Sequence, residues 1–178
     1  EQFKALSASS AALDPDVYES SEIGVKVALS DDLSLTAAYF DSEQTRAARD
    51  SVTGETYEIV GLQVDGMELE LKGSVSDSMD IVLGLTKMSG ETAKGGEPRE
   101  IPDHMISLFA TNQVSDKFGW SLGLTRQGES AIGNDKPGNV LPAYTRVDFA
   151  AYYMIADDLS VQMNVENLND TLYFPHSH

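Results

Sequence analysis

The strongest constraint on this chain is a period of two. In Ile23-Gly24-Val25-Lys26-Val27-Ala28-Leu29 the odd positions are apolar and the even ones small or charged. Leu33 to Tyr39 repeats the pattern, as do Met67 to Lys72, Ile81 to Leu85, Ile106 to Ala110, Trp120 to Leu124, Val147 to Tyr153 and Leu159 to Glu166. Alternation puts successive side chains on opposite sides of an extended backbone, so each segment reads as a strand with one apolar face. These are eight strand candidates, with no amphipathic helix among them. The Ala5 to Ala12 stretch before Asp14-Pro15 reads as a helical turn or a loop. The expected class is all-β: an antiparallel up-and-down meander of about eight strands.

A short turn recurs between paired strands. Ser30-Asp31-Asp32-Leu33, Ser76-Asp77-Ser78-Met79, Ser115-Asp116-Lys117-Phe118 and Ala156-Asp157-Asp158-Leu159 are variants of one motif, in which Asp side chains can bond the backbone two residues on. Longer polar connections alternate with these turns: Asp41 to Thr56, Ser89 to Ile101 and Gln127 to Leu141. Tight turns at one end and long loops at the other are what a transmembrane β-barrel meander shows. Tyr39, Tyr57, Trp120, Tyr144 and Tyr153 fall towards strand ends, where an aromatic girdle or ordinary strand-edge packing would place them. The spacing of roughly forty residues also fits propeller blades, but only two convincing strands occupy each interval. A soluble antiparallel sandwich with its apolar faces inward remains open, because alternation does not distinguish lipid from core. The polar faces are compatible with both readings. Glu68, Glu70 and Lys72 share one, Arg146 and Asp148 another, and Ser160, Gln162, Asn164 and Glu166 a third.

Charge removes other classes. Among 178 residues, 12 Lys+Arg face 29 Asp+Glu, a formal net charge of -17. Such a surface repels a polyanion, so no nucleic-acid partner is expected. No apolar run approaches the ~18 residues of a membrane helix, which leaves a barrel untouched. The absence of Cys excludes disulfides, thiolate nucleophiles and Cys-based zinc sites.

Several segments resemble the carboxy-terminal part of the barrel of TonB-dependent outer-membrane receptors, the siderophore-receptor branch in particular. Leu141-Pro142-Ala143-Tyr144-Thr145-Arg146-Val147-Asp148 matches that family's proline-tyrosine strand entry. Asn164-Val165-Glu166-Asn167-Leu168-Asn169-Asp170, followed by Tyr173, matches its asparagine-rich strand exit. Glu19 to Lys26, Gly66 to Glu70 and Pro102 to Leu108 resemble earlier strands of the same barrel, in the same order. The resemblance implies a partial segment, residues 1–178, of a large transmembrane β-barrel of about twenty-two strands. The family's plug domain, which carries the TonB box, and its closing strand have no counterpart here, since the sequence stops at Tyr173 to His178. It further implies location in the outer membrane of a Gram-negative bacterium, contact with outer-membrane lipid, and TonB as a partner acting through the plug. The implied activity is receptor-mediated uptake of a ferric siderophore, carried as ligand rather than held as a cofactor.

No catalytic constellation emerges from the residues, and no enzyme is expected. His104, His176 and His178 have no metal-ligand partners at a spacing that places them together, and no Gly-x-Ser-x-Gly elbow occurs. The Asp pairs repeat at turns, which points to structure rather than acid-base work. Ferric siderophores are often anionic, so basic loop residues are the contact candidates. These are Arg46 and Arg49 in the first long connection, Lys94 and Arg99 in the second, and Arg126 and Lys136 around the third.

Overall fold

A computed structural model of the protein describes residues 15–133 and 139–177. Ala5 to Ala12, Lys136 and His178 therefore lie outside the described residues. The strands are β1 (Tyr18–Ala28), β2 (Leu33–Arg49), β3 (Thr56–Ser76), β4 (Met79–Thr92), β5 (His104–Ser115) and β6 (Phe118–Gln127), then β7 (Ser130–Ala131), β8 (Val140–Leu141), β9 (Tyr144–Ala156) and β10 (Leu159–Val165). Eight of them form one sheet in the order β1-β2-β3-β4-β5-β6-β9-β10, and β7 pairs with β8 in a separate two-stranded ribbon within the β6–β9 connection. Every pairing in the main sheet is antiparallel. The meander read from the alternation is the architecture found.

Two local expectations need correcting. The stretch from Asp41 to Thr56 is mostly strand, not loop. β2 and β3 stay paired past a bulge at Gln44/Thr45 up to Arg49 and Thr56. The connection itself is a tight turn in which Asp50 Oδ1 accepts the N–H groups of Val52 at 2.7 Å and Thr53 at 2.8 Å. Backbone pairing continued there without the apolar alternation that made the other strands visible. In two of the recurring turns, the side chain that bonds the backbone is the serine. Ser30 Oγ accepts the Asp32 N–H at 3.4 Å, and Ser115 Oγ accepts the N–H groups of Lys117 at 3.4 Å and Phe118 at 3.2 Å.

The register joins the apolar stripes into one face. Val27, Leu35, Leu71, Leu83, Leu108, Leu124 and Val147 occupy a single row across seven strands. Among the described residues no second layer covers this face. Val25 is 60% exposed and Val161 56%, and the only buried hydrophobic residues among those described are Ala110, Ala131 and Leu141. A sandwich would bury such a row against another sheet.

The band is also oblique to the hydrogen-bonded rows. Its loop-side margin is set by Ile23, Tyr39 and Met67 on β1 to β3, by Leu85 and Ile106 on β4 and β5, by Leu124 and Val147 on β6 and β9, and by Val165 on β10. The margin thus drops three rows across the sheet, about 20 Å of strand against about 34 Å of sheet width at ~3.3 Å per residue and ~4.8 Å per strand. That corresponds to strands tilted by roughly 30°, close to the 35–45° of transmembrane barrels. The turn-side margin drops in the same sense, from Leu33 on β2 to Tyr153 and Val161 on β9 and β10. The strands contribute three to five apolar rows each, a band roughly 20–25 Å tall once tilted, close to the height of barrel hydrocarbon contact. Tyr39 lies at the loop-side margin, and Trp120 and Tyr153 lie towards the turn side of the same face. Tyr144 belongs to the other face, and Tyr57 lies beyond the bulge, so neither joins a girdle on this band.

The polar face carries the even rows, including Lys26, Thr36, Glu70, Gly84, Ser107, Thr125 and Arg146. Aromatic rings lie across glycines on it. Phe40 is paired with Gly66, and a Cβ at Gly66 would come within 2.6 Å of the Phe40 ring. Tyr152 covers its own partner Gly119 in the same way and bonds through its hydroxyl to Gln113. A glycine under a ring leaves the ring flat against the backbone, where it shields a ladder that would otherwise be bare.

Candidate functional site

The long-loop end of the polar face gathers the polar chemistry of the chain. Arg146 and Asp148 lie two residues apart on β9 and share this face. The Arg146 guanidinium donates to Asp148 Oδ2 from Nε at 3.0 Å and from Nη2 at 2.7 Å. The other carboxylate oxygen of Asp148 accepts the Asn167 N–H at 2.8 Å. After β10 the chain turns back through Asn167 and Asp170, both with positive φ (53° and 49°), a region that Asn and Asp tolerate better than most residues. Asn169 then replaces a strand. Its Oδ1 accepts the Val147 N–H at 3.1 Å and its Nδ2 donates to the Thr145 carbonyl at 2.8 Å, satisfying β9 where β10 has ended.

This return carries Tyr173 over the polar face. The Tyr173 ring stacks on Tyr144 with centroids 4.8 Å apart, and the Arg146 guanidinium carbon lies 5.8 Å from the Tyr173 centroid. Arg146 Nη1 also donates to the Tyr173 hydroxyl at 3.1 Å. Further on, the backbone N–H and hydroxyl of Ser177 both reach Glu100 Oε1, at 2.7 Å and 2.6 Å, and Arg99 Nη2 donates to Ser177 Oγ at 2.7 Å. The segment from Asn167 to Ser177 therefore runs from the end of β10 to the β4–β5 connection. It joins aromatic rings, two arginines and two carboxylates into one rim.

The six basic residues singled out from sequence do not converge. Arg99 is in the rim, held by Ser177 and by Glu100 at 3.5 Å. Lys94 is exposed in the same connection. Arg46 is exposed on β2, its stem lying over Gly61. Arg49 closes the β2–β3 turn by donating from Nε to the Gly54 carbonyl at 3.1 Å. Arg126 lies on the apolar face in register with Ile106, with Nε donating to His104 Nε2 at 3.3 Å and Nη1 to Thr145 Oγ1 at 3.2 Å. Lys136 lies outside the described residues. Sequence reasoning missed Tyr144, Arg146 and Tyr173 as rim residues. The shared face of Arg146 and Asp148 was legible, but nothing local to the sequence revealed that Tyr173 returns onto it.

Among the described residues no cluster of three His, Cys, Asp or Glu is placed to hold a metal ion. The chemistry on offer is recognition: cations, phenol rings and hydroxyls on a water-facing rim.

Comparison with known proteins agrees with this geometry. Residues 2–168 match the family model described as TonB dependent receptor-like, beta-barrel. The probable TonB-dependent siderophore receptor PiuA of Acinetobacter baumannii is 28% identical over 188 residues, covering 95% of this chain and 25% of that protein. The metal-pseudopaline receptor CntO of Pseudomonas aeruginosa is 26% identical over 182 residues, covering 94% of this chain and 25% of that protein. The chain thus spans about a quarter of the length of these curated relatives. The closed form of the ferric-catecholate import receptor Fiu of Escherichia coli superposes with a TM-score of 0.81 over 99% of this chain and 26% of that one, at 24% identity, which speaks for the fold. The eight-stranded wall, its oblique apolar band and the family match over residues 2–168 lead to one conclusion: the chain belongs to the TonB dependent receptor-like β-barrel family.

Proposed function

We propose that the protein carrying this chain is an outer-membrane receptor that takes up a ferric siderophore, using energy delivered by TonB. This chain supplies a section of barrel wall to it. The observation that carries the reading is the match of residues 2–168 to the receptor barrel family, with siderophore and metallophore receptors among the relatives. The wall supports it physically. One face is built to meet hydrocarbon and the other to meet water, and the water-facing rim at the loop end presents Arg99, Tyr144, Arg146 and Tyr173.

In this reading the bilayer-facing rows hold the wall in the membrane and leave the polar face to line the passage. An anionic chelate approaching an acidic protein needs local cations and flat aromatic surfaces. Arg99 and Lys94 in the β4–β5 connection and Arg46 on β2 are the proposed contacts, with Tyr173 offering a ring. The uptake assay is direct. Cells expressing the full-length receptor are supplied with radiolabelled iron bound to a panel of catecholate, hydroxamate and mixed siderophores. At least one complex should accumulate, and accumulation should cease when TonB is deleted. If no ferric complex is taken up above the receptor-deleted strain, the reading fails.

A further inference from the structure

The segment that follows β10 is a chord across the polar face. It leaves the sheet at Asn167, and its Ser177 reaches the β4–β5 connection. From β10 to β4 is four strand spacings, about 19 Å at ~4.8 Å per strand. Partway along, Tyr173 is held from the wall by Tyr144 and Arg146. Leu172 and Phe174, on either side of that ring, stay exposed, at 82% and 49%. The chord is thus gripped at Tyr173 and at its far end. That end is a knot of three residues. Ser177 Oγ donates to Glu100 Oε1 at 2.6 Å and accepts from Arg99 Nη2 at 2.7 Å, while the Ser177 N–H donates to the same Oε1 at 2.7 Å. Arg99 Nη2 itself lies 3.5 Å from that oxygen. One carboxylate oxygen ties the chord down, and one guanidinium balances its charge.

The connection behind the knot is fixed to the wall. Pro98 covers Gly90 of β4, where a Cβ would come within 2.5 Å of the proline ring. Arg99 forms a parallel bridge with Ala131, whose carbonyl accepts the Glu100 N–H at 2.9 Å. A disturbance at the Glu100 carboxylate therefore falls on Ser177 rather than on the wall. Glu100 also sits at φ 58°, in the left-handed region that few non-glycine residues adopt. Unlike Asn167 and Asp170, the other described non-glycine residues at positive φ, it has no short side chain suited to that region. Such a backbone persists where its surroundings hold it, and it is found at switch regions. Here the Ser177 bonds and the Ala131 carbonyl hold it. The Arg99 side chain is 45% exposed, so an anion in the water-filled opening has access to it.

We propose that Arg99, Glu100 and Ser177 form an anion-operated latch. An anionic ferric chelate takes the Arg99 guanidinium from Glu100 and Ser177, forming charge-assisted hydrogen bonds with it. The Glu100 carboxylate then faces a like charge without its cation and withdraws, which relaxes its backbone and frees the Ser177 N–H and hydroxyl. The far end of the chord is released, and the polar face opens to the chelate. A neutral chelate supplies no charge to displace Glu100, so the latch stays shut. The inference rests on the uptake reading above and adds to it the point at which the passage opens and the charge that opens it.

The test is hydrogen–deuterium exchange of the full-length receptor in detergent, read by mass spectrometry on peptides spanning Leu172 to Ser177. The probes are a trianionic ferric tris-catecholate and a neutral ferric tris-hydroxamate, with bound iron counted in each sample. The trianion should speed exchange at Ser177 about tenfold, and the neutral complex should leave it unchanged. Glu100→Ala should exchange about tenfold faster with no chelate present. Glu100→Gln keeps an acceptor oxygen but carries no charge to be repelled, so it should stay protected and lose most of the response to the trianion. Iron bound from the trianion with an unmoved Ser177 amide overturns the latch. So does an equal rise with the neutral complex, or iron bound from the neutral complex alone. These comparisons use wild type only and decide the matter even if a variant does not fold. Iron bound from neither complex overturns the uptake reading and the latch with it, an outcome that the iron count separates from the others.

Discussion

Asp148 reaches from β9 to the backbone of Asn167, accepting its N–H at 2.8 Å with one oxygen while Arg146 occupies the other. A carboxylate inside a strand thus fixes the point at which the chain leaves the sheet. Replacing Asp148 with Ala removes both contacts and leaves the Arg146 guanidinium with the Tyr173 hydroxyl but no carboxylate. The expected cost is ~1–3 kcal/mol, together with faster proteolysis of the return between Asn167 and Tyr173. Urea melts of the full-length receptor, with cleavage mapped by mass spectrometry, check this. A variant that melts and cleaves like wild type would show the contact to be dispensable.

The two faces make opposite predictions for the same substitution. Leu83→Arg places a charge in the middle of the apolar band and should destabilise the barrel by about 2–4 kcal/mol in a bilayer. Thr86→Arg, on the water-facing side of the same strand, should cost less than about 1 kcal/mol. Folding titrations in phospholipid vesicles measure both. Equal penalties would contradict the assignment of the faces.

Gly66 lies beneath Phe40. Gly66→Leu forces the ring off the backbone and should cost roughly 1–3 kcal/mol. Adding Phe40→Ala should recover part of that loss, because the ring is then gone and only the close approach to the Lys87 carbonyl remains. A thermal-melt double-mutant cycle reads the coupling, and strict additivity would refute the proposed contact.

Asp50 supplies a pH-dependent element outside the membrane. The N–H groups of Thr53 and then Val52 hold its carboxyl below the ordinary value of 3.8. A depressed folded pKa means that the contribution is complete above the unfolded value and is lost as pH falls through the lowered one. The turn should therefore stay ordered at neutral pH and loosen only under stronger acid than a free aspartate would require. Amide chemical shifts of Val52 and Thr53 should titrate at that lowered value, and Asp50→Asn should abolish the titration. A titration at the ordinary value would exclude the two hydrogen bonds.

For Arg99, the measure is ligand affinity. Arg99→Ala in the full-length receptor should weaken ferric siderophore binding about fivefold to tenfold if the guanidinium faces the chelate, with little change in thermal stability. Tryptophan fluorescence titration separates the two readouts.

How much of this was visible in the residues depends on how local the cause is. The strands of the wall were legible because each must alternate to meet two solvents, as Ile23 to Leu29 does. The upper halves of β2 and β3 were not, because beyond the hydrocarbon the backbone pairs without any need for an apolar stripe. Asp31, Asp77 and their equivalents marked the turns correctly, although in the first and third the side-chain bonds are made by Ser30 and Ser115. The rim was least legible. Tyr173 meets Tyr144 only because Asn167 and Asp170 take left-handed backbone conformations, and Arg126 was read as a loop cation although its register puts it on the bilayer face.

The bulge at Gln44/Thr45 leads to one more consequence. β1 stays paired with β2 only as far as Gln44, and β4 with β3 only from Leu62, so beyond the bonds of Thr45 to Val17 and of Gly61 to Ala93 the hairpin tip from Ala47 to Val60 has no strand of the described residues on either flank. An unflanked two-stranded ribbon is marginal by itself. It can sway or fray like a mast stepped in a solid deck while the planking below stays shut, and mutations there leave the hull's seams untouched.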